Sequence, residues 1–336
     1  MNLQVIVVGL LLALILPSST AQPLPSWLGL RPSTTPFIFD LVLLNDSATI
    51  LSVVGSFSLG DEIPFVDTLR CLPGFCVFSA QSPLASTSSI YKVSNVNATI
   101  LFNSTCPGAC AHMHYDIPSS SAVTLSFVQP SSWSIISYST VGVQKLIGDI
   151  STAVGSSGNV GPGQTTHCSA TKHIYVGVNN GGAGKDVILA ASLTDGTIDG
   201  TTHLQKPLFD ALWASCDGNT SRVFGGITFT AGHPSSTNGT LEFGAVDSNG
   251  AYYRDAVVSV APGYEPMGML TATSDRATGN DFIALLYPPN YHASDPSAQG
   301  LAWLVDPWGT ATSADEVSEF NYNLIAASWS RSNWLN

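Results

Sequence analysis

Short apolar runs, many of them rich in β-branched residues, alternate along the chain with clusters of Gly, Pro, Asn, Asp and Ser. Examples are Ile38–Leu44 and Ile174–Val178, each of which is followed within a few positions by turn-forming residues. Runs of this length and composition predict strands. No long stretch repeats apolar residues with the three- and four-residue spacing of an amphipathic helix. The pattern therefore predicts an all-β protein.

Turn signals recur along the chain with a regular period. Six hairpin tips are separated by 51, 45, 53, 52 and 59 residues and are marked by Asp46, Asn97, Gly142, Asp195, Asp247 and Asp306. Short small-residue strands lie between them, at Leu69–Cys71, His112–His114, His167–Cys168, Ala214–Cys216, Thr273–Ser274 and Ala327–Trp329. Two interleaved series with a period of about 50 residues give four strands per repeat, as in the blade of a β-propeller.

These series predict a six-bladed β-propeller with four-stranded blades in a single domain, residues 22–336. The first tip has no inner hairpin before it, and the last inner strand, 323–329, has no outer hairpin after it. Joining the C-terminal strand to the N-terminal strands would complete one blade and close the ring. Seven blades, or a pair of β-sandwich domains, are the alternatives that the repeat leaves open.

One segment has a more specific likeness. Within 173–198, Ile-Tyr-Val-Gly-Val-Asn-Asn-Gly-Gly is followed by Val-Ile-Leu-Ala-Ala-Ser-Leu-Thr-Asp-Gly-Thr-Ile, and this stretch of about 25 residues resembles one blade of the YVTN-type propeller repeat family. The other blades match that family only in rhythm. The resemblance implies the propeller fold and brings no activity with it, because one fold serves many functions.

The N-terminus is typical of a secretory signal peptide. The apolar run Val5–Leu16 is too short to span a bilayer, and the small residues Ser19 and Ala21 suit signal peptidase. We therefore expect a signal peptide at 1–21 and an extracellular mature protein. No later stretch reaches about 18 consecutive apolar residues, and the C-terminus is polar, so neither a membrane span nor a lipid anchor is expected.

The composition agrees with an extracellular protein. Five Asn-x-Ser/Thr sequons predict N-glycosylation, at Asn45, Asn97, Asn103, Asn219 and Asn238. The 11 Lys and Arg residues are scattered and are outnumbered by 23 Asp and Glu residues, for a formal charge of −12. A surface of this charge repels a phosphate backbone, so nucleic acid is excluded as a partner.

Six cysteines in an oxidising compartment predict disulfides. Their spacing predicts two local bonds across Pro-Gly turns and a third across the fold: Cys71–Cys76, Cys106–Cys110 and Cys168–Cys216. The alternative is a zinc ion held by four of these thiolates.

The segment His112–Asp116 has the most suggestive chemistry. Alternate side chains share one face of a strand, so His112, His114 and Asp116 would align, and two imidazoles with a carboxylate suit zinc or iron. Because neighbours on that face are about 7 Å apart, one ion would need a further ligand from another blade. His167 and Asp67 are the candidates. The alternative is that these are ordinary hydrogen-bonded or solvated histidines.

Other catalytic signals are weak. Six-bladed propeller hydrolases and lactonases commonly hold calcium in the channel, but the candidate ligands in this chain form no recognised pattern: Glu265, Asp67, Asp116, Asp210 and Asn323. No Gly-x-Ser-x-Gly nucleophile elbow is present, and no catalytic residue can be assigned. Calcium or zinc is thus a possible cofactor, and none is required.

These observations favour a secreted glycoprotein that is not an enzyme and that binds an extracellular protein or glycan through loops on one propeller face. One alternative is a metal-dependent hydrolase or lactonase with its site at the propeller channel. Another is a structural component of an extracellular matrix or wall.

Overall fold

The computed structural model describes residues 26–44, 50–65, 68–161, 163–181, 184–214, 216, 222–230, 232, 237–260, 262, 265–271, 282–287, 300–305, 315–320 and 326–330. From residue 265 onward the strands are described without their side chains. The expected signal peptide, 1–21, and the candidate residues Asn45, Asp67, Asn219 and Asn323 lie outside the described residues.

The described chain forms antiparallel sheets, each of which extends from an innermost strand to an outermost one. The first contains β25 (Ala326–Ser330), β1 (Ser26–Pro32), β2 (Ile38–Leu44) and β3 (Ile50–Ser58). The second contains β4 (Ile63–Pro64) and β5 (Arg70–Leu72), both paired with β6 (Phe75–Gln81), and then β7 (Ser88–Ser94) and β8 (Ile100–Cys106). The third contains β9 (Ala109–Asp116), β10 (Ser121–Val128), β11 (Ser132–Tyr138) and β12 (Gln144–Asp149).

The remaining sheets follow the same order. The fourth contains β13 (Thr165–Cys168), β14 (His173–Val178), β15 (Val187–Ser192) and β16 (Ile198–His203). The fifth contains β17 (Ala211–Ala214), β18 (Arg222–Thr230), β19 (Gly239–Asp247) and β20 (Tyr252–Val260). The last contains β21 (Glu265–Thr271), β22 (Phe282–Tyr287), β23 (Gly300–Val305) and β24 (Asp315–Phe320). A helical turn, α1 (Ser151–Val154), lies between the third and fourth sheets.

The sheets form a closed ring around their innermost strands. Each innermost strand contacts the next, in the order β5, β9, β13, β17, β21, β25 and back to β5. Strand β25 also pairs with β1, with Ala327 opposite Gly29. The prediction of an all-β propeller closed by its C-terminal strand is therefore confirmed.

The prediction of six uniform four-stranded blades needs one correction. Five sheets have four strands, but the second sheet has five, because its inner position is divided between β4 and β5. Pro64 has no N–H for a strand ladder, and the Phe65 amide donates to the Ser79 carbonyl oxygen at 2.9 Å. The Thr68 hydroxyl also donates to this oxygen and accepts a hydrogen bond from the Ser79 amide. The ring thus consists of five regular blades and one irregular sheet.

Alternation of strand direction places the connections on two faces. Connections between second and third strands, and from one sheet to the next, lie on what we call the upper face. Connections between first and second strands, and between third and outermost strands, lie on the lower face. The predicted tips at Asn97, Gly142, Asp195 and Asp247 all join third to outermost strands, as expected. Asp46 and Asp306 lie outside the described residues.

The apolar core is divided among the wedges between neighbouring sheets. Leu41 of the first sheet and Phe78 of the second are both almost fully buried in one wedge. Further wedges lie between the second and third, third and fourth, and fourth and fifth sheets. Because side chains alternate along each strand, both faces of an inner sheet are filled, and the polar residues of the innermost strands are left at the centre of the ring.

Candidate functional site

The innermost strand β9 places three of the predicted residues at the centre of the ring. His112, His114 and Asp116 share one face of the strand and are all buried, whereas Met113 packs into the wedge on the other side. The alignment predicted from residue spacing is therefore present. No single ion can be reached by all three from one strand, so the neighbouring strand decides what the arrangement can do.

Strand β13 brings His167 and Thr165 next to this row. The His114 Nε2 atom lies 2.8 Å from Thr165 Oγ1, and the His114 and His167 rings are 6.1 Å apart between centroids. His167 Nε2 lies 3.3 Å from Asp116 Oδ1. The structure thus brings together His114, Asp116 and His167, while Asp67 lies outside the described residues. We call His112, His114, Asp116, His167 and Arg70 the channel cluster.

Burial and a nearby cation hold the first two histidines neutral. Burial lowers the pKa of His112 to about 4, with a further lowering from the Arg70 guanidinium on β5. Burial and Arg70 also place the pKa of His114 well below its ordinary value. Arg70 itself is buried and donates a hydrogen bond to the Leu69 carbonyl oxygen. At neutral pH these imidazoles are therefore uncharged.

Asp116 is instead held as a carboxylate. Burial raises its pKa, but the nearby His167 imidazole and hydrogen bonds from Ser119 outweigh burial and lower the pKa to about 2. The Ser119 hydroxyl and amide both donate to Asp116 Oδ2. Asp116 thus closes the turn between β9 and β10 on the lower face, which is a structural role.

The channel cluster does not have the arrangement of a metal centre. Within the part of the chain that the structure describes, no three His, Cys, Asp or Glu side chains are gathered closely enough to hold an ion. Arg70 adds a positive charge beside His112 and His114, which opposes a cation there. Asp210, just before β17, accepts a hydrogen bond from the Phe229 amide through its Oδ2. A calcium or zinc site remains a prediction.

The cysteines follow the sequence prediction in part. Disulfides join Cys71 to Cys76 and Cys106 to Cys110. The predicted third bond is not formed: Cys168 and Cys216 contact each other as thiols, and this contact lowers the pKa of Cys168 to about 6. Cys216 Sγ is directed to the carbonyl oxygens of His167 and Ala214. Because four thiols are consumed by disulfides, a zinc ion held by four thiolates is ruled out.

A second candidate site lies on the upper face of the first two sheets. It consists of the connections 33–37 and 82–87 and of residues 59–64, a connection that ends in the short strand β4, and we call these three segments the loop patch. The Leu59 amide donates to the Phe37 carbonyl oxygen at 3.4 Å, and the Ser82 hydroxyl donates to Asp61 Oδ2 at 2.7 Å. These bonds tie the three connections into one surface.

The loop patch exposes large apolar side chains. Phe37 is 52% exposed, Ile63 48% and Leu84 97%. Phe37 also has a φ of 59°, a left-handed conformation that is rare for a bulky residue and that costs roughly 1–3 kcal/mol. Such a conformation persists only where the surrounding structure fixes it, and it is concentrated at functional positions.

The sequence pattern alone does not reveal the loop patch. Phe37 directly precedes the apolar run of β2, so an apolar residue at this position does not stand out from the strand that follows it. Leu84 stands alone in a polar turn, Ser82–Pro83–Leu84–Ala85–Ser86, and this isolation is the one local signal. The contact between the segments depends on how the first two sheets pack together and has no local signature.

Three of the predicted glycosylation sites lie within the described residues. Asn97, Asn103 and Asn238 are all exposed. Asn97 lies in the lower-face turn between β7 and β8, Asn103 lies on β8, and Asn238 precedes β19 on the upper face. Accessible asparagines meet the requirement for sugar attachment.

In the part of the chain that the structure describes, the helical residues form one short turn. No helix there is long and apolar enough to cross a bilayer.

The ring of antiparallel sheets defines the chain as a β-propeller. No family model and no curated protein matches it. Among solved structures, TolB from Acinetobacter baumannii has a TM-score of 0.51 at 11% identity, covering 91% of this chain and 66% of that chain.

Two further structures are more distant in shape. A putative TolB from Agrobacterium tumefaciens has a TM-score of 0.47 at 10% identity, covering 82% of this chain and 87% of that chain. Cobalt-substituted ACO from Synechocystis has a TM-score of 0.44 at 12% identity, covering 87% of this chain and 72% of that chain. At such identities a likeness concerns the fold alone.

Proposed function

We propose that the chain is a secreted, N-glycosylated β-propeller that is not an enzyme and that binds an extracellular protein or glycan through the loop patch. The observation that carries this proposal is the exposure of Phe37, Ile63 and Leu84 on three connections that hydrogen bonds join into one surface. Single exposed apolar residues are ordinary on protein surfaces, but several of them on segments that hydrogen bonds hold together are typical of interaction sites.

The chemistry of the patch suits a partner with an apolar or ring-shaped anchor. An exposed aromatic ring offers a flat face for a sugar ring or for an apolar side chain, and aromatic residues often dominate binding energy at interfaces. Asp61 adds a carboxylate beside the apolar group, although it already accepts a hydrogen bond from Ser82. Because the connections are anchored to rigid strands, little conformational entropy would be lost on binding.

Several features support secretion and glycosylation. The N-terminal apolar run and the small residues after it have the pattern of a signal peptide. Exposed sequon asparagines at Asn97, Asn103 and Asn238 are accessible to modification. The two disulfides across Pro-Gly turns are of a kind that forms and persists mainly in oxidising compartments.

A metal-dependent hydrolase is the second candidate, favoured by the convergence of His114, His167 and Asp116 at the ring centre. It requires an ion in a cluster whose side chains are buried and which contains Arg70. Its test is thermal unfolding after chelator treatment, with calcium or zinc then restored. A rise of several degrees with one ion supports the hydrolase, and no rise with either ion counts against it.

The binding proposal is tested on protein secreted into culture medium from its own N-terminal segment. The probes are an array of immobilised extracellular glycans and a panel of purified ectodomains. The double variant Phe37→Ser/Leu84→Ser is expected to lose at least tenfold in affinity for the ligand found, equal to about 1.4 kcal/mol. The matched control is Val257→Ser, which replaces an exposed apolar residue on β20 and should bind as the wild type does.

Either of two results would overturn the assignment of the loop patch. One is equal loss of affinity in Phe37→Ser/Leu84→Ser and in Val257→Ser. The other is full affinity in the loop-patch variant.

A further inference from the structure

The outermost strands differ in how their exposed edges are protected from pairing with a second chain. Strand β8 exposes Leu101, Asn103 and Thr105 on its solvent face and has no charged side chain. Strand β3 exposes Leu51 and Val53 and likewise has no charge. By contrast, β12, β16 and β20 each expose at least one charged residue: Lys145, Asp199 and Arg254.

An uncharged outer strand is a hazard for a soluble protein. The outermost strand of a sheet presents backbone N–H and C=O groups that a second chain can pair with. Proteins commonly prevent this with Lys, Pro or a bulge at the edge. In β3 and β8 only the bulge is present, at the register shifts against β2 and β7, and neither strand contains Lys or Pro.

The uncharged edges coincide with sequons. Asn97 lies in the turn that leads into β8, and Asn103 lies on β8 itself, between exposed Leu101 and Thr105. The turn of Asn97 also lies against β3: a Cβ added to Gly55 would come within 2.9 Å of Ala98 Cβ and 3.0 Å of the Asn97 carbonyl oxygen. Asn97 is therefore next to both uncharged strands. The charged strands β12, β16 and β20 contain no sequon.

The side chain of Asn97 is oriented by its own turn. Asn97 Oδ1 accepts a hydrogen bond from the Thr99 amide at 3.2 Å. This fixes the side chain through its oxygen, whereas a sugar is attached through the amide nitrogen. Attachment is thus compatible with the turn as it stands.

We infer that N-linked glycans on Asn97 and Asn103 cover the uncharged outer edge formed by β3 and β8 and prevent it from pairing with a second copy of this chain. A bulky hydrophilic glycan does sterically what a charged side chain does electrostatically on β12, β16 and β20. The inference rests on the proposed secretion, because the sugars are attached only in the secretory pathway.

The test compares secreted variants in two measurements. Glycopeptide mass spectrometry reports occupancy at each sequon, and light scattering over a concentration series reports self-association. Asn97→Gln/Asn103→Gln is expected to associate at a concentration at least tenfold lower than the wild type. The matched control, Asn238→Gln, removes an exposed upper-face sequon and should remain as monodisperse as the wild type.

A rescue variant separates edge pairing from misfolding. Leu101→Lys, introduced into Asn97→Gln/Asn103→Gln, places a charge on the solvent face of β8 and should restore the monodisperse state. Association that persists with the lysine would overturn the inference, as would a sugar-free double variant that stays monodisperse. If Asn238 carries a glycan while Asn97 and Asn103 do not, this inference is overturned but the proposed function is not. Bare asparagines at every sequon would overturn the proposed N-glycosylation as well.

Discussion

At the scale of single residues, a few connections depend on backbone conformations that glycine adopts without strain. Gly108 has a φ of 71° and lies between Cys106 and Cys110, in the crossing from β8 to β9. A Cβ at this position would come within 2.1 Å of the Phe127 carbonyl oxygen. Both the dihedral angle and the space therefore require glycine.

Replacing Gly108 should lower the free energy of unfolding by more than its left-handed backbone conformation alone explains. A left-handed alanine costs about 1–2 kcal/mol, and Gly108→Ala adds a clash with backbone that cannot move cheaply. The control is Gly74→Ala, at a φ of 92° with no atom within 4 Å of the added Cβ. In urea unfolding, Gly108→Ala should lose clearly more free energy of unfolding than Gly74→Ala. Equal losses would show that the Phe127 carbonyl group yields readily.

The buried histidines make a prediction about acid stability. The pKa of His112 is about 4 in the folded protein, below the ordinary value of 6.5, so the unfolded chain binds a proton first. The stabilisation is present above pH 6.5 and is lost as pH falls from there towards 4. For His112 alone the loss between pH 7 and pH 5 is about 2 kcal/mol. His114, whose pKa is lowered in the same direction, adds to it.

Urea unfolding of the wild type at these two pH values measures the loss. His112→Gln should remove the part of this loss that comes from His112, because the glutamine side chain does not take up a proton. His203→Gln, at an exposed position on β16, is the control and should retain the full loss. Asp116, with its pKa at about 2, remains ionised between pH 7 and pH 5, so its charge does not contribute to the loss. Stability that is unchanged between pH 7 and pH 5 would contradict the burial of neutral histidines in the channel cluster.

At the scale of elements, local signals predicted most of the strands and their turns. The tips at Asn97, Gly142, Asp195 and Asp247 could be found because a tight turn needs particular residues, and those residues are visible in the sequence. The division between β4 and β5 was missed. It depends on Pro64 and on Thr68 bonding across to Ser79, a contact between strands that no run of letters displays.

The candidate sites were predicted less completely than the strands. Alternation on β9 correctly placed His112, His114 and Asp116 on one face, because a strand has a fixed two-residue period. Arg70 was missed, since it reaches the same centre from a strand about 40 residues earlier in the chain, and only the ring brings the two together. The loop patch was missed because its segments are joined by hydrogen bonds between the first two sheets, which no local run of residues displays.

The ends of β13 and β17 give a prediction about thiol chemistry. Contact with the Cys216 side chain is the main cause that lowers the pKa of Cys168 to about 6, against the raising effect of burial. In protein whose Cys168 and Cys216 thiols have not been oxidised, the thiolate absorbance should therefore show a titration near pH 6. Cys216→Ala should move it upward, and Cys168→Ala should abolish it. A titration of Cys168 in the ordinary range in the wild type would contradict this geometry.

At the scale of the whole molecule, the ring is closed by pairing between its two ends. Strand β25 pairs with β1 from Ala326 to Ser330, and β1 contributes the buried side chains of Leu28 and Leu30 to the first wedge. Deleting 326–336 should therefore expose backbone edges on β1 and lower the unfolding temperature by several degrees. The control deletes 331–336 and leaves β25 in place. Equal stability of the two truncated proteins would contradict closure by this strand.

The central claim is that the loop patch, and not the channel cluster, recognises an extracellular ligand. The most direct measurement is a side-by-side affinity determination, for the ligand found on the glycan array or ectodomain panel, with Phe37→Ser/Leu84→Ser and His112→Gln/His114→Gln. We expect the loop-patch variant to lose at least tenfold in affinity, while the channel variant binds as the wild type does. Loss of affinity in the channel variant with full affinity in the loop-patch variant would contradict the claim and place the site at the centre of the ring.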